Sequence, residues 1–150
     1  MSDRRGFTLV KLMVTCTVIG ILANIALPAM AVMKRKADAA HVIADMNTIR
    51  IAALSHYADL NYFPATQPWG AAPGTMISML PQGFQWTYKS VQYRWHRWSL
   101  PNGLPTSPSQ TVLIGVEVET PDQNLMAAIK STFRGNVAFG SLTLVTFVIE

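Results

Sequence analysis

Between Lys11 and Lys34 the chain runs for 22 residues, Leu12 to Met33, without a charged side chain. Coiled as a helix at about 1.5 Å per residue, that run is long enough to cross the hydrocarbon core of a bilayer. Arg4-Arg5 precede it and Lys34-Arg35-Lys36 follow it, and no glycine or turn cluster interrupts the chain behind it. Few folds accommodate such a stretch. Its length suits an anchor in lipid, and the helical pattern behind it has to be explained with it.

The helical rhythm continues past the apolar run. Val42, Met46, Ile49, Ala53, Tyr57 and Leu60 recur at spacings of three and four, the mark of an apolar helix stripe. Asp38, His41, Asp45, Thr48, Ser55 and Asp59 occupy another side. Asn61-Tyr62-Phe63-Pro64 ends the pattern, since the residue before proline is driven out of the α region. Phe7 to Leu60 as one helix would measure roughly 80 Å, a length no small soluble domain needs.

The charge balance follows the same division. The whole chain carries +4. From Ala37 onward six cations (Arg50, Lys89, Arg94, Arg97, Lys130, Arg134) meet seven anions (Asp38, Asp45, Asp59, Glu117, Glu119, Asp122, Glu150), leaving −1. The excess of positive charge flanks the apolar run. The remainder lacks the electrostatic footprint of a general nucleic-acid binder. Cations stand on both sides of the run, so charge counting assigns no orientation across a membrane. Cys16, the one cysteine, lies inside the run, so no intrachain disulfide forms.

Arg4-Arg5-Gly6-Phe7-Thr8-Leu9-Val10 and the apolar helix after it resemble the N-terminus of a type IV pilin or type II secretion pseudopilin precursor. The resemblance implies cleavage after Gly6 by a prepilin peptidase and N-methylation of Phe7. It implies a helix used twice, first as membrane anchor and then as filament core, with Pro28 where the family places a kinking proline. The implied fold is α+β and pilin-like: one long N-terminal helix, transmembrane then amphipathic, against a small C-terminal antiparallel sheet. The implied divisions are a leader (1–6), a transmembrane or filament-core helix (7–33), its amphipathic continuation (34–62) and a β-rich head (63–150).

Further expectations follow from that resemblance. The partners are the peptidase, other pilin or pseudopilin subunits, an inner-membrane assembly platform and, before assembly, the lipid bilayer. The location is a bacterial inner membrane, N-terminus cytoplasmic and head periplasmic, and then the filament. Lys11 departs from the pattern. The family usually has a glutamate there, which meets the N-terminal amine of a neighbouring subunit. A lysine puts like charge beside the Phe7 amine. It either marks a minor or tip subunit that needs no such docking, or snorkels to the headgroups. Asn24 is the strongly polar side chain of the anchor, bonded along its own helix or across to another.

In the head, Pro64 to Gly83 reads as a loop rich in proline and glycine. Strands are expected over 84–88, 91–99, 111–120 and 142–149, with a short helix over 123–133 begun by Pro121-Asp122. Pro101 to Pro108 reads as a second loop, and Gly135 and Gly140 as bracketing a turn. Glu117 and Glu119 read as a solvated strand face.

No metal site, cofactor or catalytic centre is read from the chain. His41 and His56 lie 15 positions apart on one helix, roughly 22 Å, and His96 has no cysteine or acidic neighbour in sequence. No nucleophile elbow, phosphate-cradling glycine loop or Cys-x-x-Cys pair occurs. One stretch stands out, Gln85–Trp98, where Trp86, Tyr88, Tyr93, Trp95 and Trp98 alternate with Lys89, Arg94, His96 and Arg97. It reads either as a ligand-stacking surface built on Trp86, Tyr88, Arg94, Trp95 and Arg97, or as a sheet whose aromatics cover the long helix. The second is preferred, because that helix needs large apolar partners and few others exist.

Two other functions compete with the filament reading. Arg4-Arg5-Gly6-Phe7 also looks like a twin-arginine export signal, and Ala29-Met30-Ala31 offers a cleavage site that would release a soluble binding domain or enzyme. The apolar run exceeds an ordinary signal core of about 7–15 residues, which weighs against this. A minor pilin for DNA uptake is the other alternative.

Overall fold

The computed structural model describes the backbone of residues 4–102, 111–133 and 137–149. In chain order the elements are α1 (Arg4–Leu60), a 3-10 turn (Gly74–Met79), β1 (Thr87–Tyr88), β2 (Val91–Ser99), β3 (Val112–Glu119), α2 (Gln123–Thr132), β4 (Val137–Gly140) and β5 (Leu144–Val148). This is the α+β, pilin-like arrangement of one long N-terminal helix and a small antiparallel sheet. The chain divides into two compact units, Met1–Arg35 and Lys36–Glu150.

The described part of the first unit, residues 4–35, is helix alone. Pro28 lies inside α1, and the side chains of Leu9, Leu12, Ile19, Ile25, Leu27 and Met33 are each more than half exposed. Among the described residues α1 is the one helix long and apolar enough to cross a membrane. Its hydroxyls are satisfied internally. Thr15 Oγ1 donates to the Leu12 carbonyl at 2.8 Å and Thr17 Oγ1 to the Met13 carbonyl at 2.8 Å. Such back-bonding removes the cost that an unpaired hydroxyl carries in an apolar medium.

The second unit holds the core. α1 contributes Ala39, Val42, Met46, Ile49, Ala52, Ala53 and His56, all buried. Tyr57 and Leu60, expected in that stripe, are 40% and 48% exposed instead. Leu60 lies five whole turns after Val42 and so on the same face, so helix phase does not expose it; the buried stripe of α1 ends at His56, and the last turn, with Tyr57 and Leu60, runs on beyond the core. Asn61 stops the helix in the left-handed region (φ 59), its N–H bonded to the Tyr57 carbonyl at 2.8 Å. Asparagine tolerates that conformation better than most residues with a Cβ.

The sheet order is β1-β2-β3-β5-β4, antiparallel throughout. Register places Trp95, Val116 and Phe147 in one row and Tyr93, Val118 and Val145 in the next. All six are buried, in one core with the α1 stripe and with Leu125, Met126 and Ile129 of α2. Each such side chain contributes about 1.5–3 kcal/mol of transfer free energy. β2 and β3 supply the width of this face through Val91, Tyr93 and Trp95 of the one and Ile114, Val116 and Val118 of the other, each set at a spacing of two.

Several boundaries depart from expectation. The strand expected over 84–88 shrinks to Thr87–Tyr88, with Pro81 accepting from the Phe84 N–H to close a turn. Residues 137–140 form β4 rather than part of a turn, pairing with β5 through a register irregularity between Val137 and Phe139. Edge pairing overrides the local glycine signal there. The 64–83 loop contains the 3-10 turn, and its Gln67 and Gly70 N–H groups bond to Trp95 and Tyr93 carbonyls, covering the edge of β2 beyond β1. Asp122 caps α2 as expected, accepting from the Asn124 and Leu125 N–H groups at 2.9 and 3.1 Å. Most of the 101–108 loop lies outside the described residues.

Candidate functional site

The anchor residues singled out in the sequence fall on α1. Lys11, Asn24 and Pro28 are all exposed. Among the described residues neither the Lys11 ammonium nor the Asn24 amide has a polar partner, so both remain available to groups outside the chain. Gly6 and Phe7 lie in the first turns of α1.

The aromatic and basic residues of β1 and β2 do not converge. Side chains of a strand alternate between faces, so Val91, Tyr93 and Trp95 point to α1 while Arg94, His96 and Trp98 point away. Trp95 is fully buried and its Nε1 donates to the Pro64 carbonyl at 2.9 Å. Trp86 is 4% exposed and meets Phe84 edge to face. Trp95 therefore keeps no open face, and Trp86 reaches the surface only where it lines a shallow cavity with Ala72, Ile77, Leu80 and Phe84. Arg97 is exposed, its backbone N–H bonded to Thr66 Oγ1. Period-two alternation along 91–99 was visible in the sequence and separates Trp95 from Arg94.

On the outward face Arg94 pairs with Glu117 of the neighbouring strand and lies 4.3 Å over the Trp69 ring. His96 Nδ1 contacts the same Glu117 Oε2 at 3.1 Å and its ring stacks on Trp98 at 4.2 Å. Glu117 is therefore not a solvated residue: it is 6% exposed, and two cationic or donor groups serve one carboxylate. The acidic partner that His96 lacks in sequence is supplied by register, His96 lying opposite Gly115 and Arg94 opposite Glu117. Gly115 is required there. A Cβ would stand 2.4 Å from the Phe147 carbonyl oxygen and 3.2 Å from the Trp98 ring.

A second polar cluster joins α1 to the β1–β2 hairpin. Tyr88 Oη donates to Asp38 at 3.0 Å, and Lys89 bonds the same oxygen. Tyr93 Oη donates to Asp45 at 2.8 Å, and His41 Nδ1 lies 3.2 Å from that carboxylate. The His41 and Tyr88 rings stack at 4.0 Å. The hydrogen bond to Asp38 raises the Lys89 ammonium above its usual value. Burial, reinforced by Asp45, raises the Tyr93 hydroxyl far above its own. Asp38, His41 and Asp45 share a helix face by their spacing of three and four. They work as a seam between elements, although the pattern alone resembles a solvated face. Among the described residues no group of three or more histidine, cysteine or acidic side chains is arranged to hold a metal.

Comparison with known proteins adds an independent line. The chain is 33% identical over 79 residues to the type II secretion system core protein G of Pectobacterium carotovorum subsp. carotovorum, covering 53% of this chain and 51% of that protein. It is 33% identical over 67 residues to the protein of that name from Klebsiella pneumoniae, covering 45% and 48%. It is 35% identical over 69 residues to that of Aeromonas hydrophila, covering 45% and 48%. These matches bear out the resemblance to the type II secretion pseudopilin family. The chain spans about half the length of the curated relatives it matches. No family model matches the chain, and no solved structure is a significant match.

Proposed function

We propose that this chain is a pseudopilin subunit of a type II secretion system, held in the inner membrane by the first part of α1 and then assembled with other subunits through it. The observation that carries the reading is continuity. The apolar run and the stripe that forms the head's core belong to one helix, Arg4–Leu60. The relatives named as type II secretion core proteins support it.

In this reading residues 1–6 are a leader removed by a prepilin peptidase after Gly6, Phe7 becomes the methylated N-terminus, and 7–33 is the anchor. Residues 34–62 continue the helix into the head of 63–150. The N-terminus is cytoplasmic and the head periplasmic, and an inner-membrane platform receives the subunit. The protein works by assembly and not by catalysis. Lys11 places a second cation near the Phe7 amine, where a carboxylate would attract a neighbour's amine and a lysine repels it. A minor position in the filament follows, with Asn24 available for a contact between helices.

N-terminal sequencing and mass spectrometry of the naturally processed protein test this. A methylated Phe7 is expected. A chain beginning at Val32 would instead support an exported domain, and would require cutting inside α1. The abundance and location of Lys11→Glu in the filament test the minor position, which an unchanged distribution contradicts. For the DNA-uptake alternative, Arg94 is engaged by Glu117, which leaves Arg97 as the cation of the five residues considered that has no ionic partner among the described residues. Salt-dependent binding of single strands by the full chain would favour that alternative.

A further inference from the structure

Lys34, Arg35 and Lys36 are exposed and occupy three consecutive helical positions, so at about 100° per residue they spread around roughly 200° of the circumference. Among the described residues none of the three has an anionic or hydrogen-bonding partner. Asp38, the nearest acidic residue along the helix, is already engaged by Tyr88 and Lys89. The 22 uncharged residues before them rise about 33 Å as helix, close to the roughly 30 Å of a hydrocarbon core. A span of that length places Lys11 at one polar boundary and Lys34–Lys36 at the other.

We propose that Lys34, Arg35 and Lys36 form a collar that binds the phosphates of anionic phospholipids in the leaflet facing the head, setting the depth of the anchor. This rests on the membrane-anchor reading above. Charge complementarity selects the ligand, and the angular spread selects lipid over an acidic protein. A protein neighbour contacts one side of a helix, whereas a headgroup layer surrounds it, so cations facing several directions are all satisfied only there. Arg35 offers a planar fork that matches phosphate oxygens, and the two lysines reach along the surface as mobile point charges. Cations on this side run against the usual bias of membrane proteins toward positive cytoplasmic flanks, so they are not explained by orientation.

The test uses the full chain reconstituted in vesicles of phosphatidylcholine alone or with about 30% phosphatidylglycerol, a strongly anionic surface. A membrane-impermeant amine reagent is applied and modification is mapped by mass spectrometry. In the anionic vesicles Lys34 and Lys36 are expected to be modified about fivefold to thirtyfold less, the protection one or two cations near such a surface provide. Protection should disappear at about 0.5 M NaCl, where screening is short-ranged. Lys130 in the head serves as the unchanged internal reference, and R35Q should weaken protection at both lysines.

Alkaline-carbonate resistance, measured on the same vesicles, separates the two layers of the argument. Resistant association with equal modification in both vesicle types would overturn the collar alone. Loss of resistant association in both would overturn the anchor reading and the collar with it. Protection that arises only when other pseudopilin subunits are reconstituted alongside would assign the three cations to an acidic protein and likewise overturn the proposal.

Discussion

Tyr93 at the centre of the inward face of β2 donates its hydroxyl to Asp45 of α1 at 2.8 Å, a hydrogen bond to a charged acceptor made across the core. The carboxylate sits at the boundary between the buried stripe of α1 and solvent, so the bond is made where water is scarce but the charge is still supported. Bonds of this kind contribute about 1.5–3 kcal/mol. Tyr93→Phe in the detergent-solubilised chain is therefore expected to lower unfolding stability by about that amount with little change in helicity, read by denaturant titration followed by circular dichroism.

The same residue gives a pH dependence with a defined sign. Burial and then the Asp45 bond raise the folded-state tyrosine above its ordinary value near 10.0. The folded chain keeps the proton while the unfolded chain releases it, so this stabilisation is complete below that value and is lost as pH rises above it. Wild-type stability should fall steeply in the alkaline range, and Tyr93→Phe should flatten that limb. Parallel alkaline limbs in the two proteins would contradict the assignment.

Glu117 and Glu119 lie two residues apart on β3 but are not equivalent. Glu117→Ala removes a nearly buried carboxylate from Arg94 and His96 and is expected to cost about 2–4 kcal/mol, since it leaves a half-buried guanidinium uncompensated. Glu119→Ala, at an exposed position, should stay within about 0.5 kcal/mol. Thermal melts of the two variants side by side test the contrast.

Gly115→Ala introduces a Cβ at 2.4 Å from the Phe147 carbonyl oxygen, a backbone atom that cannot turn aside. The expected result is a loss of roughly 2–4 kcal/mol or a failure to accumulate folded protein. Gly83→Ala, where nothing stands within 4 Å, has no such clash but carries strain from its φ of +81. It should cost only about 1 kcal/mol. Expression yield and melting temperature distinguish the two.

At the start of α2, Asp122→Ala should cost about 1 kcal/mol by orphaning the Asn124 and Leu125 N–H groups, and Asp122→Ser should recover most of it. Hydrogen exchange at those two amides reports the loss directly.

What the chain declares by itself is one-dimensional. A run of 22 uncharged residues, a repeat of three and four after it, an Asx residue before an amphipathic segment and a proline after Phe63 all act on the neighbouring backbone. α1, β2, β3 and α2 could accordingly be placed to within one to three residues. The residues that decide surface from interior could not. Glu117 is buried because strand register puts Arg94 opposite it, and β4 exists because β5 offers it an edge. Asp38 and Asp45 are held because a hairpin some 50 positions away delivers Tyr88, Lys89 and Tyr93. Those energies belong to pairs distant in sequence, and neither partner carries a local signal of the other until the sheet closes on the helix.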